Sequence, residues 1–434
     1  NTTGAYNAAV GYRALCSNTT ASYNTALGYH SLDSNTTGAI NTSVGYYALE
    51  GNTTGTLNTA VGGQAMQANT TGSHNTASGY LALYTNTTGS YNVAIGKHAM
   101  RCNATSNYNT AVGTFALCKT TGAQNTGVGY SVLAANTTGT LNTAVGHHAL
   151  LATTTGSWNS ATGAKALECN TTGCYNTASG MYALRNNTTG IKNSAHGQGA
   201  LYSNTTGGYN TASGYGALVS NTTNHYNTAI GQKALKTNTT GSKNTASGYS
   251  ALYFNATGAY NTASGYQALY TNTASYNTAT GAAALQTNTT GAYTTATGYK
   301  ALFANTTGSD NTSIGAQNLQ NNTTGSGNTA SGYKTMYYNT TGGQNTASGR
   351  YALRQNSTAN YNSAFGACSL TSNTSGADNT GVGYKALAAN TCGNYNTGLG
   401  YTALVTNTTG CCNTAVGHNT LYGNTTGDWN TAVG

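Results

Sequence analysis

The residues able to do chemistry in this chain are few and widely separated. Its 434 residues include six carboxylates (Asp33, Glu50, Glu168, Asp310, Asp378 and Asp428), eight histidines and nine cysteines. Acid–base or triad chemistry needs such groups to converge on one point. Here the carboxylates fall in six different segments of a repeating sequence. The one close histidine pair, His147 and His148, is adjacent in sequence, which on a strand sends the two rings to opposite faces. No Gly-Lys-Ser/Thr phosphate loop occurs, and no Cys-x-x-Cys pair that would suggest zinc. The expectation is a chain that is not an enzyme, with no catalytic residue, no metal and no cofactor.

Charge is just as sparse. Lys and Arg number 15 against the six acids, for a net +9, and charged residues make up 5%, where a typical soluble domain carries about 25%. The nearest approaches to a basic patch are Lys97, Arg101 and Lys119, and Lys233, Lys236 and Lys243. A nucleic-acid partner needs a stripe of cations that neutralises adjacent phosphates, so none is expected. No apolar run approaches the roughly 20 residues of a membrane span, so this segment is not expected to insert. Disordered chains are rich in Pro and charge, whereas this one has no Pro and is 38% hydrophobic.

What the chain has in quantity is Asn followed by hydroxyls. An Asn-x-Ser/Thr sequon recurs at Asn18, Asn35, Asn52, Asn69, Asn86, Asn103, Asn136, Asn170, Asn187, Asn204 and Asn221, and again at Asn238, Asn255, Asn288, Asn305, Asn322, Asn339, Asn356, Asn373, Asn407 and Asn424. The hydroxyl two residues on survives even where the middle residue changes, as in Asn103-Ala-Thr and Asn356-Ser-Thr. That is what a glycan acceptor needs, so these positions are read as exposed turn residues carrying N-linked sugar, or O-linked sugar on the Thr pairs. Asn-Thr-Thr-Gly is also good turn chemistry in its own right. Cys102 and Cys118 sit in consecutive repeats at nearly the same place, within range of a disulfide, with free thiols as the alternative.

The element that positions all of this is the repeat itself. Asn-Thr-Ala-x-Gly recurs with its Gly at 11, 28, 45, 62, 79 and so on to 434, every 17 residues except for two steps of 16, at 113 to 129 and 265 to 281. Taking that Gly as phase 0, phase +4 is always Leu or Met, beginning Leu15, Leu32, Leu49, Met66, Leu83, Met100, Leu117, Leu133 and Leu150. A position so restricted is a core ladder, because a polar side chain there would be buried unpaired. Phases −4, −2 and 0 (Asn, Ala, Gly) share one parity and −3 and −1 the other. That is the period of a strand with an inward and an outward face. The stretch +1 to +6 fits either a strand at a corner or one helical turn. Phases +7 to +10 are the Asn-Thr-Thr-Gly turn, its Gly expected at positive φ.

One 17-residue unit is too small to fold alone, and stacking gives every unit a neighbour. The fold class expected is all-β, a repetitive β-solenoid or intertwined trimeric β-roll with one repeat per coil. The array is read as a single run over residues 1–434, about 26 coils, cut from the interior of a longer fibre. Tyr at phases +1 and −5 should form exposed rows, which as apolar patches mark contact surfaces.

Tyr91-Asn-Val-Ala-Ile-Gly96 and Tyr226-Asn-Thr-Ala-Ile-Gly231 resemble the head repeats of YadA-type trimeric autotransporter adhesins. The whole array is similar to the Asn-Thr-Ala-x-Gly-Tyr-x-Ala-Leu repeats of bacterial surface and phage tail-fibre proteins. The resemblance implies side-by-side β-rolls and a trimer. Together these readings make the chain a structural protein, self-associated into an extracellular filament or surface-fibre shaft at the cell surface and coated with covalent glycans. The alternatives are an adhesin or tail-fibre stalk whose binding tip lies elsewhere, and an ice-binding solenoid, which needs Thr in register on a flat face.

Overall fold

The computed structural model describes residues 1–434 and contains strands and turns but no helix. The chain divides into two compact units, Asn1–Tyr215 and Gly216–Gly434. The first holds thirteen three-residue strands, β1 (Ala8–Val10) to β13 (Thr211–Ser213), and the second holds β14 (Thr228–Ile230) to β26 (Thr431–Val433).

Within each unit a strand pairs in parallel with the strand of the next repeat at equal phase. Thr25, Ala26 and Leu27 lie against Thr42, Ser43 and Val44 in the first unit, and Thr245, Ala246 and Ser247 against Thr262, Ala263 and Ser264 in the second. Each unit is therefore a β-solenoid with one repeat per coil, as the periodicity requires. The 16-residue steps do not disturb the register: Thr110 pairs with Thr126, and Thr262 with Thr278. Parallel pairing at about 4.8 Å per coil lines up every phase into a column.

The inward and outward assignments follow the sequence pattern. Leu32, Leu49, Met66, Leu83, Met100, Leu117, Leu133 and Leu150 are fully buried beside the Ala of phases −2 and +3, while Leu15, in the first coil, is half-buried. Each buried Leu contributes roughly 1.5–3 kcal/mol. Phase −1 faces out, as at Val61, Val145 and Ile230.

The stretch from +1 to +6 is neither a strand nor a helical turn. In the coil of Gly79, the Leu81 amide donates to Gly63 O in the coil before, while the Leu83 and Thr85 amides donate to Ala99 O and Arg101 O in the coil after. To aim its amides this way the chain alternates handedness: Leu81 and Leu83 have φ of 57° and 53°, and at phase −5 Tyr91 has 59°. Left-handed backbone costs an L-residue roughly 1–2 kcal/mol and is worst for β-branched side chains. Composition tracks that cost. Phases −5, +2 and +4 occur 26, 25 and 25 times, and in those 76 places only Ile40 and Thr402 are β-branched, whereas Val, Ile and Thr abound at −3 and −1. The Leu/Met rule at +4 thus has two causes, burial and conformation.

Two glycines are fixed for different reasons. Gly79, at phase 0, has φ +135°, and a Cβ there would lie 2.7 Å from the Gly96 carbonyl. The Gly of the Asn-Thr-Thr-Gly turn was expected at positive φ, but it has none. At Gly72 the constraint is crowding, since a Cβ would sit 2.5 Å from Asn69 Oδ1 and 2.4 Å from Gly89 O.

Candidate functional site

The asparagines decide what the surface can be. At phase −4, Asn75 Nδ2 donates across its coil to Gly89 O (2.8 Å), and its Oδ1 accepts the Asn92 amide (2.9 Å). At phase +7, Asn86 Nδ2 donates to the same Gly89 O (2.9 Å) and to Asn69 Oδ1 one coil back (2.7 Å). The second unit repeats this, with Asn379 and Asn390 converging on Gly393 O at 2.8 and 3.0 Å, and Asn390 bonded to Asn373 Oδ1 at 2.8 Å. Each solenoid therefore contains two internal amide ladders, one at phase −4 and one at +7.

This overturns the placement of the sequon asparagines. From Asn18 to Asn407 all of them are buried, and Asn424, in the last coil, is half-buried. Their Nδ2 atoms, which N-linked sugar would have to occupy, are spent on closing the turn, as at Asn170, and in most coils on the ladder as well, as at Asn86. The reason is the turn: an Asn that closes its own turn through Gly O points its amide inward and meets the next coil's amide. The turn hydroxyls divide. Thr53 Oγ1, at phase +8, donates to Thr70 O (3.1 Å), whereas the +9 residues Thr37, Thr54, Thr71 and Thr307 are exposed.

The cysteines are also placed differently from the disulfide expectation. Cys102 and Cys118 lie in adjacent coils, with the Cys102 amide donating to Cys118 O at 3.0 Å, but both are free thiols, as are the other seven. Burial pushes the Cys118 thiol up, away from the thiolate needed for exchange.

Residues scattered in sequence converge wherever they share a phase. Asp33 and Glu50 both sit at +5 of consecutive coils, beside His30 at +2, and their ligand atoms lie within 4.8 Å of one another. That corrects the expectation of isolated carboxylates, and the signal was present in the phases. A cation could be held there, but the chain supplies its own positive charge. Arg13 Nε lies 3.1 Å from Asp33, His30 Nδ1 lies 3.0 Å from it, and Gln67 Nε2 donates to Glu50 at 2.6 Å. A second cluster centres on Glu168, with Arg185 at 2.6 Å and Lys165 and His148 each at 3.7 Å. Burial pushes the Glu168 carboxyl up, but Arg185, Lys165 and His148 together outweigh it and hold it below the usual carboxylate range. Burial and the neighbouring His147 hold His148 low, and burial with Arg101 and Lys97 holds His98 low. His147 and His148 do not face apart. Their ring centroids are 3.8 Å apart, because phases +1 and +2 lie in the alternating turn rather than in a strand.

The tyrosines form the rows expected. Tyr12, Tyr29 and Tyr46 stack at 5.3 and 5.5 Å, and in the second unit Tyr260, Tyr276 and Tyr293 stack at 5.1 Å in each step. No helix is long and apolar enough to cross a membrane. No protein-family model and no curated protein matches the chain.

Proposed function

We propose that this β-solenoid repeat protein is a structural segment of an extracellular filament or surface-fibre shaft, whose work is mechanical. The observation that carries the reading is the pair of internal Asn ladders. The most uniform phases (Gly at 0, Leu or Met at +4, Asn at −4 and nearly always at +7) are spent on holding one coil to the next, and the widest variation falls at phases that face solvent, such as −1. Asn ladders between in-register strands are a feature of very persistent assemblies.

A solenoid surface so poor in charge lacks the usual protection against association. Sugar O-linked to the exposed +9 threonines would supply that protection, and the Tyr rows would supply side-by-side contact where chains bundle. Cryo-electron microscopy of native material tests the filament, and peptide mapping tests the coat. Filaments carrying extra density at +9 Thr support the reading, whereas isolated monomers of bare polypeptide mass end it.

A second reading is favoured by one observation. In β15 (Thr245–Ser247), β16 (Thr262–Ser264), β17 (Thr278–Thr280) and β18 (Thr295–Thr297) the outward residues are all Thr or Ser, in register from coil to coil. Ranked hydroxyls at the coil spacing are what an ice-binding face requires. A thermal-hysteresis measurement separates the two readings.

A further inference from the structure

We propose that the second unit carries a docking ledge for a linear, carboxylate-bearing polysaccharide, running along phases +1, +2 and +5 from Lys300 to a groove at Tyr384, Tyr401 and Tyr422.

The cations of this unit are scattered in sequence but not in space. Seven of its eight (Lys233, Lys236, Lys300, Lys334, Arg350, Arg354 and Lys385, but not Lys243) fall at phases +1, +2 or +5. Its three carboxylates, Asp310, Asp378 and Asp428, all fall at −5 or −6, on another part of the coil. Those cation phases meet in space: Lys334 Nζ lies 5.3 Å from the Tyr333 ring (+1) and 5.4 Å from the Tyr337 ring (+5), and Arg354 (+5) lies 5.2 Å from the Tyr351 ring (+2).

The first unit has the same phases with a different outcome. There Asp33, Glu50 and Glu168 share the ledge: Asp33 ion-pairs with Arg13, Glu168 with Lys165 and Arg185, and Glu50 accepts from Gln67. From Lys300 to Lys385 no carboxylate occupies the ledge, and the cations rest on aromatic faces. Those faces hold the stems in place and leave the charge unneutralised. The field is visible at Tyr351, whose phenol is held below its ordinary range by the Arg350 hydrogen bond, with Arg350, Lys334 and Arg354 all adding to the effect against burial.

Spacing selects the partner. Lys300, Lys334, Arg350/Arg354 and Lys385 stand in coils separated by two, one and two steps, which at about 4.8 Å per coil puts gaps of about 10, 5 and 10 Å between charges. Duplex nucleic acid carries a charge about every 1.7 Å of axis, so this row would leave most of its phosphates unpaired. A glycan with one carboxylate per ring, or per pair of rings, spaces its charges on the scale of the ledge. At the far end Tyr384, Lys385, Tyr401, Thr402, Asn419 and Tyr422 line an open groove of about 410 Å³. Aromatic walls with a few polar groups are suited to sugar rings.

The test is binding of the full chain to polygalacturonate, with neutral dextran and a single-stranded oligonucleotide as rivals. Polygalacturonate should bind and be released by salt. The triple substitution Lys334→Gln, Arg350→Gln, Arg354→Gln should weaken it about tenfold, the loss of three exposed ion pairs. Lys243→Gln, off the ledge, should leave binding unchanged. A separate pair, Lys300→Gln with Lys385→Gln, should weaken binding independently, which distinguishes lost contacts from a misfolded coil. Equal binding of dextran, tighter binding of the oligonucleotide, or undiminished binding by both multiple variants overturns the proposal.

Discussion

The +7 amide ladder has a natural break, and repairing it measures what the ladder contributes. Phase +7 of the coil of Gly146 is Thr153 instead of Asn, and it is fully buried. Its Oγ1 has no hydrogen-bond partner, and neither has Asn136 Oδ1, the acceptor one coil back. On the other side Asn170 Nδ2 keeps only its own turn bond to Gly173 O (3.0 Å). Thr153→Asn should restore three bonds: to Asn136 Oδ1, to Gly156 O and from Asn170 Nδ2. At about 1 kcal/mol each, less roughly 1 kcal/mol for ordering the amide, the expected gain is about 2 kcal/mol. Hydrogen exchange reads it locally, at the Thr154 and Gly156 amides that donate to Thr171 O. Their protection should rise about thirtyfold where exchange proceeds by local opening. Thr120→Asn is the control. Thr120 Oγ1 already accepts from Asn136 Nδ2 (3.0 Å) and donates to Gly122 O (3.4 Å), so little should be gained there. Unchanged or faster exchange in the Thr153 variant would refute the view that the ladder, rather than the leucines alone, holds the coils in place.

Leu150→Asp should open its coil by burying an unpaired charge, whereas Val145→Ser in the same coil should change exchange by less than about 0.5 kcal/mol, as exposed substitutions do; equal losses would negate the inward and outward assignment. Acid should weaken the first unit selectively. The folded pKa values of His98, His148 and Glu168 all lie below their unfolded values, so the folded state binds fewer protons. The stability they contribute is complete above about 6.5 for His and about 4.3 for Glu, and it is lost as pH falls through the folded values. Residues 1–215 should then lose exchange protection before residues 216–434, and a uniform loss would contradict this. Peptide mapping of native material should find sugar on +9 threonines such as Thr54 and Thr307 and none on the buried Asn52 or Asn305; an occupied Asn52 would show that the ladder does not form as described.

Much of this architecture is legible in the sequence because a solenoid turns sequence phase into spatial position. Leu at +4, Ala at −2 and Tyr at +1 report burial directly, since each phase samples one environment about 25 times. What the phases do not report is direction. The turn Asn reads as a loop residue because Asn-Thr-Thr-Gly is common turn chemistry. Only closure of the coil shows that its amide and that of the −4 Asn converge on one glycine carbonyl. Likewise the alternation from +1 to +6 has no period of 2 or 3.6 to detect, and its trace is negative, namely the near-absence of β-branched residues at −5, +2 and +4.

The same principle bears on how a site arises in such a chain. In most folds, residues that converge come from different elements, and sequence distance says little about them. Here convergence needs only equal or neighbouring phase, so single substitutions in successive repeats suffice to assemble a cluster. Arg13, His30, Asp33, Glu50 and Gln67 span four coils, yet each is an ordinary variant at +2 or +5. They form a connected network without altering the Gly, the Leu or Met at +4, or either Asn ladder of their coils. Stacking and surface chemistry therefore vary almost independently. The fixed phases set how one coil holds the next, and the variable ones write columns on the outside, self-neutralised around Asp33 and Glu168 in the first unit and of a single sign from Lys300 to Lys385 in the second. A search for function in a chain of this kind has to compare columns rather than segments.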